Sequence, residues 1–97
     1  MPLDLELILT LKRAGWKVKI YDLERLEPPH VTILFKGRSW RLSLRDGSFL
    51  DRGHGWSQIH DGVRAAIEAA WEELQQAWDE MHPDNPMTSQ DDDQDDN

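Results

Sequence analysis

The chain has no cysteine, a single tyrosine and no lysine or arginine after Arg64. Without cysteine it has no disulfide, no thiolate metal site and no thiol nucleophile, which fits a reducing compartment. It lacks any run near the roughly 20 apolar residues that span a bilayer. Its N-terminus places Asp4 and Glu6 among the leucines, where a secretory leader would have positive charge first and then unbroken apolar residues. These absences lead us to expect a cytoplasmic protein that does not enter the membrane. No phosphate loop, dinucleotide fingerprint or nucleophile elbow is found, so no cofactor is expected.

The 97 residues suit one domain. Five tryptophans enlarge a core that is otherwise small for this length. The net charge of −8 is unevenly distributed. Between Lys12 and Arg64 there are 11 bases against 6 acids, and from Glu68 onward 11 acids and no base. From Pro83 the sequence is too polar to offset the entropy of ordering it. The expected organisation is one α+β domain over residues 1–82 and a disordered acidic tail over 83–97.

Leu3, Leu7, Ile8 and Leu11 share a helical face. With acids first, Lys12 and Arg13 last and Gly15 as a stop, they predict a helix over 3–14. Leu3, Leu5, Leu7 and Leu9 also alternate as a strand would. Three strands follow, with Trp16, Val18, Ile20, then Val31, Ile33, Phe35, then Trp40, Leu42, Leu44 on one face. Lys36-Gly37-Arg38 and Asp46-Gly47 read as hairpin turns, and Ser48–Asp51 as a short fourth strand. Ser57 is the expected cap of a long helix over 58–81, whose stripe Ile59, Val63, Ile67, Trp71, Leu74, Trp78 packs on the covered sheet face.

The other sheet face is expected to present Lys17, Lys19, Tyr21, Lys36, Arg41 and Arg45. Such a face suits a phosphate backbone, with Tyr21 as a stacking surface. It equally suits the water-facing side of a sheet kept soluble and unpaired by charge. The acidic tail is a candidate competitor for it. His30, after Pro28-Pro29 at a strand start, is the candidate general acid or base. His54, His60 and Asp61 lack a metal-ligand spacing, so no metal site is expected. Trp71 and Trp78 stand seven apart, but a seam of two heptads is short of a coiled coil. The chain is expected to be a monomer or weak homodimer.

Glu27-Pro28-Pro29-His30-Val31, Trp40-Arg41-Leu42, Asp46-Gly47 and the closing Trp- and Glu-rich helix resemble a family of short bacterial proteins of unassigned biochemistry. The likeness covers residues 16–82. Many members carry Pro-Pro-His-x-His; here the second histidine position is Thr32. The resemblance implies a small cytoplasmic domain, sometimes encoded in a toxin–antitoxin-like pair. Ala14-Gly15-Trp16 and the element order are also similar to the small ribonuclease toxins of the double-stranded-RNA-binding fold, which would match His30 to their catalytic histidine. The leading expectation is a non-enzymatic module with a protein partner. The alternative is an RNA-binding or RNA-cleaving domain.

Overall fold

Alternation in Trp16–Ile20 sets the sheet: Trp16, Val18 and Ile20 are buried while Lys17 is exposed. The computed structural model describes residues 3–21, 28–83 and 85–87. Within them the chain is α+β, with β1 (Leu3–Asp4), α1 (Leu9–Ala14), β2 (Trp16–Ile20), β3 (His30–Phe35), β4 (Arg38–Ser43), α2 (Asp61–Ala69) and α3 (Trp71–Met81). The strands form one antiparallel sheet in chain order.

Register follows burial. Val18 faces Ile33 and Ile33 faces Trp40, so one apolar row crosses three strands. Trp16 stacks on Phe35 at 4.1 Å between ring centres and lies 6.0 Å from Trp40. The hairpin between β3 and β4 turns through Lys36 and Gly37, both at positive φ (46° and 81°). Two left-handed residues make the turn whose twist matches paired strands, and glycine takes one of them without strain. The buried set joins these strand residues to Leu7, Leu11, Ile59, Val63, Ile67, Leu74 and Trp78. Two polar links tie the 3-10 turn Trp56–Gln58 and α3 to the sheet. Trp40 Nε1 donates to Gln58 Oε1 at 3.0 Å, and Gln75 Nε2 donates to the Leu44 carbonyl at 2.7 Å.

The N-terminal helix is shorter than the expected 3–14. Leu3 and Asp4 pair with Ile20 and Lys19, and the Leu5 N–H donates to the Val18 carbonyl at 2.8 Å. The edge of β2 offers these residues ladder bonds that a first helical turn would lack, and Leu5 and Leu7 keep their alternation facing inward. The sheet's fourth strand is therefore N-terminal. Ser48–Asp51 makes an isolated bridge, Leu42 to Phe49, flanked by bonds Ser43 N–H to Ser48 O and Leu50 N–H to Arg41 O.

The expected helix over 58–81 is divided. Ser57 lies inside the 3-10 turn, and His60 caps α2 by accepting the Gly62 N–H at Nδ1, 2.9 Å. Ala70, at φ −105° and ψ 15°, separates α2 from α3. Packing continues past residue 82. Trp78 Nε1 donates to the Asn85 carbonyl at 2.7 Å, and Met87 packs against the core. The expected disorder of the tail falls, from residue 88 on, outside the described residues.

Candidate functional site

The five cations and one tyrosine assigned to the outer sheet face do not form one free surface. Lys19, Thr32 and Arg41 share a row across β2, β3 and β4. Lys19 Nζ lies 3.5 Å from Asp4 of β1. Arg41 grips Asp51 with two hydrogen bonds, Nε at 3.1 Å and Nη2 at 2.7 Å. These bonds hold the Asp51 carboxyl below its ordinary range, against a smaller opposing effect of burial. Arg45 Nε reaches the Met87 carbonyl at 3.4 Å, and the Tyr21 carbonyl accepts from His82 Nε2 at 2.8 Å. Asp46, beside Arg45, is likewise lowered, by the Ser48 hydroxyl at 2.7 Å and then the Ser48 N–H at 3.0 Å.

Of this set, Lys17 and Lys36 are exposed, and both lie at the hairpin end. Lys17, Lys36 and Arg38 line a shallow recess of about 360 Å³ with Gly15, Phe35 and Ser39, and no carboxylate lines it. The Lys36 ammonium sits 5.2 Å over the Phe35 ring, and the Arg38 guanidinium 4.7 Å over Trp40. Aromatic faces hold both cations without neutralising them. Arg38 was not among the residues singled out from sequence. Its register opposite Phe35 puts it here.

His30 lies wholly inside the protein. Its relative exposure is 0%, its Nδ1 donates to the Pro28 carbonyl at 2.8 Å, and its ring lies 5.6 Å from Trp78. Trp78 in turn stacks on the buried His82 at 3.7 Å. A general acid must touch its substrate, so this placement is that of a core residue. His54 and His60 are also apart in role: His54 lies beside Trp40, 6.2 Å between rings, and His60 is a helix cap. Among the described residues no group of three or more His, Cys, Asp or Glu is placed to hold a metal ion, and no helix is long and apolar enough to cross a membrane.

A different surface runs along α2 and α3. Trp71 packs against the core as expected, but only half-buried, whereas Trp78 is fully enclosed. It borders a recess of about 520 Å³ with Glu68, Glu72 and Glu73, all exposed. On its other side a groove of about 370 Å³ runs to Trp56, over Ile67, with Arg45 and Arg64 at the rim. Arg64 lies 4.8 Å over the Trp56 ring and bonds Glu68 at 2.9 Å. Helical spacing alone put Trp71 on the apolar stripe. Its neighbours Glu68 and Glu72, at positions i−3 and i+1, were the available sign of a boundary position.

No protein-family profile, no curated protein and no solved structure matches this chain.

Proposed function

We propose that the chain is a non-enzymatic protein-interaction module that meets a basic partner protein through the acidic face of α2 and α3. The observation that carries this reading is Trp71, half-buried among Glu68, Glu72 and Glu73. A tryptophan in that setting supplies a large apolar anchor, and the carboxylates around it steer a cationic partner and fix its register. In this reading α2 and α3 cover the inner sheet face and present their outer side to the partner. The work is done in the cytoplasm by a monomer or weak homodimer, as one half of a toxin–antitoxin-like or regulatory pair. The test is tagged full-length chain recovered from its source cells, beside a Trp71→Ala, Glu72→Lys, Glu73→Lys variant. The reading expects one protein at stoichiometric ratio, released by salt, and absent from the variant. The same protein on both, or nucleic acid in place of protein, would overturn it.

The carboxylate-free recess at Lys17, Lys36 and Arg38 favours a second reading, RNA binding. RNA titrated across a salt series should then lose affinity steeply, with a log–log slope of about −2 for three contacts. The burial of His30 gives no support to the cleaving form of this reading.

A further inference from the structure

We infer that the cationic hairpin end is a docking surface for an acidic peptide stretch, and that its occupant is the chain's own Asp91–Asp96. Three observations converge on this pairing.

The first is charge. The recess is lined by Lys17, Lys36 and Arg38 and by no carboxylate. The run Asp91, Asp92, Asp93, Asp95, Asp96 is the densest block of acid in the chain. The second is where that run begins. Met87 is held at both backbone groups: its N–H donates to Asp79 Oδ1 at 2.7 Å, and its carbonyl accepts from Arg45 Nε. The acidic run is therefore tethered to the structured domain beside the far end of β4, not attached at a distance.

The third is reach. Arg45 lies seven residues beyond Arg38, with β4 between them. At ~3.3 Å per residue throughout, that separation is at most about 23 Å, since β4 ends at Ser43 and a turn follows. From Met87, Asp93 is six residues on and Asp96 nine, or up to about 20 Å and 30 Å of extended chain. Lysine and arginine side chains close the rest, so the last aspartates span to the hairpin end while Thr88–Gln90 serve as tether. A tether of this length makes the encounter intramolecular, with an effective concentration in the millimolar range. The nearer cations, Arg45 and Arg64, are the poorer match. Their groove also holds Asp46 and Glu68, and Arg64 already bonds Glu68. An arriving aspartate would meet like charge there. Exposed ion pairs are individually weak, so the docked state forms only part of the time and yields to salt.

The experiment compares backbone amide NMR spectra of the full-length protein with a variant in which Asp91, Asp92, Asp93, Asp95 and Asp96 are all changed to Asn. At ~20 mM NaCl, where screening is weak, the amides of Lys17, Lys36, Gly37 and Arg38 should differ between the two proteins. The difference should vanish near 1 M NaCl, where the screening length is about 3 Å, and should not change on tenfold dilution. In the reciprocal arm, Lys17→Gln, Lys36→Gln, Arg38→Gln in the full chain should shift the amides of residues 91–96. Coincident spectra at low salt would overturn the proposal. So would differences confined to Arg45 and Arg64, and differences that fade on dilution would assign the occupant to a second copy instead.

Discussion

His30 and Asp51 show how placement decides a polar residue's role. His30 lies at a strand start after two prolines, a position that sequence reasoning favours for catalysis. In the fold its ring fills space against Trp78 and its Nδ1 satisfies the Pro28 carbonyl. Removing that ring leaves a cavity and an unbonded carbonyl. His30→Ala should therefore cost about 2–4 kcal/mol in urea unfolding. A catalytic, structurally idle His30 would leave the unfolding midpoint where it is. Asp51 carries a pH dependence. Its carboxyl is held below its ordinary value of 3.8 chiefly by the Arg41 hydrogen bonds. A depressed folded value means stabilisation that is present above the unfolded value and lost as pH falls through the folded one. Both side chains are about a third exposed, 34% and 38%. Solvent screening keeps the effect below ~1 kcal/mol. Asp51→Asn should thus be slightly less stable than the parent at pH 7, and the two proteins should converge as pH drops below about 3.8. Urea midpoints at a series of pH values measure this, and a gap that widens on acidification would contradict it.

The elements were legible in proportion to how much their own residues determine them. β2 alternates cleanly, β3 and β4 place their core residues at every second position although some of the residues between are buried too, and the turn at Lys36-Gly37 carries its own chemistry, so their positions could be read directly. The N-terminal segment carried both a helical and an alternating pattern in the same leucines. The open edge of β2 decided between them, and that is a tertiary fact. The break at Ala70 has no sequence mark, since alanine is the best helix former and the stripe runs through it at spacings of three and four. Ala70 keeps its bonds on both sides, N–H to Ala66 and carbonyl from Leu74. The start of α2 was misread for a related reason: Ser57 is a stronger capping type than histidine, but His60 stands at the first helical turn. Its Nδ1 acceptor replaces the usual oxygen, so His60→Ala should cost about 1 kcal/mol of stability while His60→Asp keeps most of it. Equal losses in the two variants, measured by thermal unfolding, would show that the cap contributes nothing.

Across the whole molecule, the inward phase of Trp16 and Trp40 was readable because strand alternation fixes the side of every residue at once. The proposed surfaces were less readable, since they depend on which charges find partners. Arg41 meets Asp51 from a segment that makes only one bridge, whereas Lys36 and Arg38 lie over aromatic rings. The two helical tryptophans test the division between core and surface. Trp78 is 0% exposed, stacked on His82, and donates to the Asn85 carbonyl. Trp71, one heptad earlier on the same stripe, is half-buried beside three glutamates. Trp78→Ala should cost about 3–5 kcal/mol, the cavity cost of a buried tryptophan. Trp71→Ala should cost only about 1–2 kcal/mol, because part of the ring is already in water and the site opens to solvent. The same Trp71→Ala change should nonetheless remove the proposed basic partner, since a rigid aromatic anchor at an interface contributes more to binding than to folding. Paired urea titrations give the first comparison and partner recovery the second. A Trp71→Ala variant as unstable as Trp78→Ala would place Trp71 in the core and leave the acidic face without an anchor.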